Sequence, residues 1–215
     1  MKFSTIIITA ITAVFFTSCM SMLGYDTSSA VNHTSSGNMR IIEDRYAGCN
    51  TVTHKNIGVD FVSKEFFGTT SIYFEPCFTS SEDSVRCFLR IENRIALSSR
   101  PIECKQIVLL GETGRVIINP VATPEIEYGT SQYDTSVSKY MECISKKDYE
   151  SLSEFFAENS KVKLGFYTSK NEIVEMVEES NRAHKIFAAA YSYYKDNLSA
   201  KKDISATLNN IAFVK

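Results

Sequence analysis

Residues 104–119, CKQIVLLGETGRVIIN, contain the strand pair that decides the predicted fold. Two apolar runs flank a polar turn at 111–114, whose two glycines suit turn conformations with positive φ. Apolar side chains occupy both sets of alternating positions: Ile107, Leu109 and Ile117 in one set, and Val108, Leu110, Val116 and Ile118 in the other. A strand with two apolar faces lies inside a fold. We therefore expect this hairpin at the centre of a sheet, covered on both faces.

A second hairpin precedes it in the chain. Residues 68–78 and 84–93 are rich in β-branched and aromatic side chains, and a polar turn at 79–83 separates them. In the second strand, four apolar residues alternate with a mostly polar set: Val85, Cys87, Leu89 and Ile91. This alternation predicts one buried face and one solvent-exposed face.

Helical patterns and a third hairpin follow. The spacing of Val137, Tyr140, Met141 and Ile144 predicts a helix face. Ser145 and Asp148 form a capping box for a further helix, which should bury Tyr149, Leu152, Phe155 and Phe156. Residues 161–168 and 172–177 are expected to form paired strands.

The strongest helical pattern covers residues 181–197. Its apolar stripe, the best cover for the 104–119 hairpin, contains Ala183, Ile186, Phe187, Ala190, Tyr191 and Tyr194. The apolar spacing within residues 203–213 predicts a short final helix. The expected fold class is α+β: an antiparallel sheet built from hairpins, with helices packed on it and a long C-terminal amphipathic helix. Residues 39–215 should form one domain, with a subdivision near residue 135 left open.

Composition is that of an ordinary globular protein. The chain has 215 residues, of which 44% are hydrophobic and 22% are charged, so it can bury a full core. The formal net charge of -2 gives no field that favours nucleic acid as a partner.

The chain begins MKFSTIIITAITAVFFTSC. Lys2 precedes an apolar stretch at 3–16 that is shorter than the roughly 20 residues a membrane-spanning helix needs. A positive start, a short apolar run and small residues at its end are typical of a signal peptide, here residues 1–18. Phe16-Thr17-Ser18-Cys19 resembles the lipobox of bacterial lipoproteins, which usually has Leu, Ala and Gly before the cysteine.

This resemblance covers residues 1–19 only. It implies cleavage before Cys19, a diacylglyceryl thioether on its sulfur and, in many bacteria, a further acyl chain on its amine. In a two-membrane cell, Met20 in place of Asp favours the outer membrane. Ordinary cleavage near Ser21, which would give a soluble protein, and an uncleaved anchor remain open. Residues 20–38 are rich in Ser, Thr and Gly, which predicts a flexible tether between Cys19 and the domain.

Six cysteines are present, and an exported protein can form disulfides. Cys77 and Cys87 flank one hairpin and are the first candidate pair. If the two cysteines are directly opposite, Glu75 lies on the same face as Leu89, so that either Glu75 is buried or Leu89 is exposed. A register shifted by one residue avoids this but points the two cysteines to opposite faces, unless Pro76 forms a bulge. Cys104 with Cys143 is the second candidate pair, and buried thiols are the alternative. The cysteine spacings predict no metal site.

The sequence contains no established catalytic or cofactor motif. Cys49 and His54 would be the only nucleophile pair, five residues apart and without a third group. We therefore expect a non-enzymatic, lipid-anchored envelope protein, without cofactor, that binds another envelope protein or a polymer. The alternatives are an envelope hydrolase, marked by a pocket with shifted pKa values, and a small-ligand binder, marked by an apolar cavity.

Overall fold

The computed structural model describes residues 31–56, 61–65, 68–96, 101–129, 135–178, 182–204 and 210–215. These ranges contain two helices, α1 (Lys146–Glu158) and α2 (Arg182–Asn197). They also contain fourteen strands: β1 Val31–Ser36, β2 Met39–Asp44, β3 Cys49–His54, β4 Phe61–Glu65, β5 Gly68–Ser80, β6 Ser84–Ala96, β7 Cys104–Leu110, β8 Arg115–Ile118, β9 Glu125–Tyr128, β10 Thr135–Ile144, β11 Lys163–Thr168, β12 Ile173–Glu178, β13 Lys202–Asp203 and β14 Ile211–Val214. In this described part, neither helix combines the length and apolar character that a bilayer crossing requires.

All the strands belong to one sheet that branches at β5. One edge of β5 pairs antiparallel with β6, which continues to β10 and β9. The other edge is shared: the start of β5 pairs with β4, and its end pairs with β3. One arm therefore runs β3–β2–β1, and the other runs β4–β12–β11–β7–β8–β14. Every strand pair among the described residues is antiparallel except β13 with β6.

The expected α+β class with a long C-terminal amphipathic helix is wrong. The described part of the chain is mostly antiparallel sheet with two short helices, a β-rich fold. The 182–197 helix does form, but it has 16 residues, and strands β13 and β14 follow it in the chain. Two segments with helical patterns, 137–144 and 211–214, pair as strands instead.

The core lies on one face of the sheet, named here the inner face. On β5 this face carries Ile72, Phe74 and Phe78, which are all buried. On β6 it carries the predicted alternating set, also buried: Val85, Cys87, Leu89 and Ile91. Both helices contribute aromatic rings to this core. Tyr149 of α1 and Tyr194 of α2 lie 5.0 and 5.7 Å from the ring of Phe78, and 5.1 Å from each other. Aromatic packing thus ties both helices to β5.

The β7–β8 hairpin is not the doubly covered centre that was predicted. It lies near the end of one arm, between β11 and the terminal strand β14. Its inner-face residues are fully buried: Ile107, Leu109, Val116 and Ile118. On the other face Val108 and Ile117 are half-buried, and Leu110 is 52% exposed. Helix α2 instead contacts β5, β3 and β2.

The hairpin turn needs its glycines for space. The N–H of Gly111 donates to the carbonyl oxygen of Gly114 (2.9 Å), and neither residue has the positive φ that was predicted. A Cβ on Gly111 would overlap the side chain of Asn159, and a Cβ on Gly114 would lie 2.7 Å from the carbonyl oxygen of Val214. Close approach of the end of α1 and of β14 therefore excludes a side chain at both positions.

Residues 137–144 form a strand, and the predicted helix there is wrong. Strand β10 pairs with β6 from Thr135 opposite Ala96 to Ile144 opposite Cys87. Its buried residues alternate strictly, but three of them are polar: Ser136, Ser138 and Glu142. Polar residues on the inner face hid the two-residue period, and the remaining apolar residues matched helical spacing by chance.

Both ends of the domain contain more strand than was predicted. Of the proposed helix at 203–213, residues 211–214 pair with β8 as β14, and 205–209 lie outside the described residues. Of the proposed tether at 20–38, residues 31–36 form β1 and pair with β2, and 20–30 lie outside the description. By contrast, the helix capped by Ser145 and the hairpin of β11 and β12 are confirmed.

Candidate functional site

An open pocket of about 610 Å³ lies between the β2–β3 hairpin and the start of α2. Its described lining residues are Arg40, His54, Lys55, Asn56, Arg182, Lys185 and Ile186. Four of the seven are permanently cationic and none is acidic. We name this site the basic pocket.

The hairpin forms one wall. Arg40 is the second residue of β2 and stands opposite Thr53 of β3, and His54 ends β3. The N–H of Lys55 donates to the carbonyl oxygen of Asn38 (2.8 Å), which extends the pairing by one bond beyond the strand ends. This bond fixes the backbone from which Lys55 and Asn56 reach the pocket.

Helix α2 forms the other wall through its first turn. Ile186 is buried and anchors the turn, while Arg182 and Lys185 are exposed. Cations are unfavourable at a helix N-terminus, because the helix dipole is positive there. In the described residues this first turn has no acidic side chain, whereas α1 begins with Asp148 and the capping side chain of Ser145. Arg182 and Lys185 therefore give the described part of the α2 wall a positive charge.

None of the four cations forms an ion pair with a carboxylate of the described residues. Within the described ranges, no carboxylate oxygen lies within 4.0 Å of the charged nitrogens of Arg40, Lys55, Arg182 or Lys185. The chain as a whole has a net charge of -2, so this pocket is a local concentration of positive charge. Such a concentration attracts an anion from solution.

His54 adds an imidazole ring to the same pocket. The backbone N–H of Asn56 donates to its Nδ1 (3.1 Å), and the carbonyl oxygen of Asn56 lies 3.1 Å from the same atom. A neutral ring that accepts at Nδ1 carries its proton on Nε2 and can donate from it, whereas a neutral ring that donates from Nδ1 to the Asn56 carbonyl has an acceptor at Nε2. The residue is 8% exposed.

A buried charged cluster lies on the other face of β5 and β6, close to Arg40. Glu75 pairs with Arg90, and the guanidinium of Arg94 donates to Glu92 (2.8 Å). Burial raises the pKa of Glu75 to about 7, because the desolvation of its carboxylate outweighs the attraction of Arg90; Glu92 raises that pKa further and Arg40 lowers it. Arg40 therefore links the pocket electrostatically to this cluster.

The cysteine pairs expected from the sequence are not brought together. Cys77 stands opposite Phe88, and Cys87 stands opposite Phe78. This is the register shifted by one residue, so Cys77 and Cys87 lie on opposite faces of the sheet and cannot form the predicted disulfide. Cys143 lies on the outward face of β10. Cys104 lies on the other side, beside Tyr140 on the inward face of β10, and its N–H donates to the Tyr140 hydroxyl (2.9 Å).

The proposed Cys49–His54 nucleophile pair is also excluded. The two residues are the first and last of β3, about 17 Å apart along an extended strand and on opposite faces. His33 is exposed on β1, and His184 of α2 bonds through Nδ1 to the carbonyl oxygen of Phe156 (2.5 Å), so it joins the two helices. Cys19 lies outside the described residues.

The remaining buried titratable groups do not line the pocket. Burial raises the pKa of the Cys87 and Cys104 thiols to about 12, so both stay protonated and unreactive near neutral pH. Burial likewise raises the pKa of Tyr149 and Tyr194 in the aromatic core.

Among the residues that the structure describes, no group of three or more His, Cys, Asp or Glu side chains is arranged to hold a metal ion.

Sequence reasoning missed the basic pocket. It singled out His54 only as a partner for Cys49, and it assigned no role to Arg40, Lys55, Arg182 or Lys185. The one local signal is the i, i+3 spacing of Arg182 and Lys185, which places two cations on neighbouring positions of a helix surface. The hairpin wall gives no comparable signal, because strand pairing alone brings it beside α2.

No protein-family profile matches this chain, and neither a curated protein nor a solved structure is detectably similar to it.

Proposed function

We propose that this chain is a lipid-anchored cell-envelope protein that binds an anionic ligand in the basic pocket without catalysing a reaction. One observation carries the binding proposal: four cationic side chains from two separate elements line one cavity, with no acidic residue among its described lining. An anion bound there would offset their mutual repulsion and the unfavourable cations at the start of α2. The pocket therefore supports anion binding better than an apolar ligand.

The proposed location rests on the sequence. The resemblance of residues 16–19 to a lipobox supports export, an acyl anchor on Cys19 and, in a two-membrane cell, residence in the outer membrane. At that location, the ligand class that we propose is an anionic group of an envelope polymer or of another envelope protein.

Binding of a general polyanion tests the proposal. Fluorescein-labelled dextran sulfate is titrated with the purified full-length chain, and fluorescence anisotropy is read at low and at physiological ionic strength. We expect saturable binding that weakens as salt rises, because salt screens exposed charges over about 8–10 Å. Neutral labelled dextran should not bind.

A double charge reversal separates the pocket from net charge. The variant K55E/R182E should bind dextran sulfate at least about tenfold more weakly, because opposite charges replace two of the four cations. The matched control K147E/K170E makes the same change in net charge at two exposed positions away from the pocket and should bind as the natural chain does. Equal weakening in both variants, or no binding by the natural chain, would overturn the proposal.

A further inference from the structure

We infer that the basic pocket takes the phosphoryl group of an organic phosphate; the inference rests on the proposed anion binding and names its ligand class. The cationic donors are of two kinds, and each suits a tetrahedral oxyanion. Arg40 and Arg182 present planar guanidinium forks, whereas Lys55 and Lys185 present compact point charges.

The number of donors exceeds what a carboxylate needs. A carboxylate offers two oxygens and one charge, which a single guanidinium satisfies in bidentate geometry. A phosphomonoester offers three strong acceptor oxygens and close to two charges at pH 7. Cations on two walls, with the imidazole of His54 beside them, match the larger charge and the three oxygens.

His54 is the most restrained of these donors. Its side chain is more than nine-tenths buried, and Nδ1 is held by Asn56, so the ring orientation is set by the backbone that closes β3. An oxyanion in the pocket can accept a hydrogen bond from this ring when Nε2 carries the proton.

The size of the pocket indicates an organic carrier. Its volume of about 610 Å³ lies within the range of roughly 300–1,000 Å³ that is typical of sites for drug-sized ligands. A bare phosphate ion would leave most of that space to water. Ile186 and Asn56 complete the lining with an apolar surface and an amide, which can contact a sugar or glycerol carrier.

A matched ligand series tests this inference by isothermal titration calorimetry on the full-length chain. Glucose 6-phosphate, glucose 6-sulfate, glucuronate and inorganic phosphate vary the anion and the carrier separately. We expect glucose 6-phosphate to bind at least about tenfold more tightly than each of the other three. The variant R40K/R182K, which keeps the charge but removes both forks, should reduce the preference for phosphate over sulfate. Equal affinities within the series would overturn the inference.

A lipid headgroup is a second source of the same group, so a vesicle arm accompanies the series. Sedimentation is compared for phosphatidylcholine vesicles with and without phosphatidic acid, whose headgroup is a phosphomonoester. Retention only by vesicles that contain phosphatidic acid would support the inference and indicate that a lipid carries the phosphoryl group. Tight binding of glucose 6-phosphate would support it and indicate that a soluble molecule or a polymer carries that group. Binding of dextran sulfate without either phosphate ligand would overturn the inference and leave the proposed function standing, whereas loss of all binding would overturn both.

Discussion

At the scale of single residues, the buried carboxylates differ in how well their partners offset the cost of burial. Glu142 is fully buried on the inner face of β10, yet its carboxylate accepts from the N–H groups of Val121 and Ala122 (3.0 and 2.9 Å) and from the amide of Asn210 (3.0 Å). Three donors of this kind stabilise a buried carboxylate. Glu75 is different, because its one cationic partner does not compensate for its desolvation.

The raised pKa of Glu75 makes a prediction about stability and pH. A carboxyl whose pKa rises from 4.5 to about 7 on folding binds its proton more tightly in the folded state. Its contribution to the free energy of unfolding is therefore fully present below pH 4.5 and is lost as pH rises through about 7. We expect this group to lower the stability of the natural chain by roughly 2–3 kcal/mol between pH 5 and pH 8.

Urea unfolding at pH 5 and pH 8 measures this effect. The variant Glu75→Gln cannot titrate at this position, so the stability difference between the two pH values should be smaller than in the natural chain by that amount. The same difference in both proteins would show that Glu75 is not protonated in the folded state near neutral pH.

Asn159 gives a second prediction at this scale. Its side chain is buried, accepts from the N–H of Thr113 (3.0 Å), and donates to Thr113 Oγ1 (2.9 Å) and to the carbonyl oxygen of Phe155 (2.7 Å). Asn159→Ala should cost about 2–3 kcal/mol, because it removes these bonds and leaves buried groups without partners. The exposed Asn119 makes one side-chain bond, to Gln106 (2.8 Å), so Asn119→Ala should stay within about 0.5 kcal/mol. Similar losses in the two variants would contradict this role.

At the scale of elements, the sequence predicts those segments whose polar and apolar residues agree with their final surroundings. Helix α1 was predictable because Ser145 and Asp148 mark its start and its large apolar residues all face the core. Strand β10 was not, because three of its buried residues are polar and the partners of one of them, Glu142, come from distant parts of the chain. A local pattern cannot reveal a buried polar group whose partner is contributed by tertiary structure.

Helix α2 tests whether its aromatic stripe is core or a binding surface. Phe187 is fully buried, and its ring stacks on Phe156 of α1 with centroids 4.5 Å apart. Phe187→Ala should therefore lower the free energy of unfolding by roughly 3–5 kcal/mol. The control is Phe213→Ala on strand β14, whose side chain is 39% exposed, and its loss should be about 1 kcal/mol or less. A negligible loss at Phe187 would mean that the stripe is not packed as described.

At the scale of the whole molecule, the branch at β5 creates the candidate site. Because β3 and β4 share one edge of β5, the β1–β2–β3 arm is free to lie beside α2 instead of extending the main sheet. Arg40 and Lys55 thus meet Arg182 and Lys185, which lie far away in the sequence. Only the antiparallel, hairpin-built character of the sheet was predictable; the branch and the pocket depend on pairings between remote strands, which periodicity does not encode.

The N-terminal prediction also belongs to this scale. If Cys19 carries the lipid anchor, Cys19→Ser should move the protein from the membrane fraction to the soluble fraction and abolish labelling with a radioactive fatty acid. The matched change Cys49→Ser, in β3, should leave both unchanged. Membrane retention of the natural chain without any fatty-acid label would contradict the proposed lipidation.

The central claim is that anions bind in the basic pocket, and mapping of the bound site by NMR tests it most directly. Backbone amide ¹H–¹⁵N shifts of the labelled chain are recorded during a titration with glucose 6-phosphate, with glucose as the neutral control. We predict that the shift changes cluster at Arg40, at 54–56 and at 182–186, and that glucose produces none there. Shift changes centred on another part of the sheet, or no changes at saturating ligand, would contradict the account.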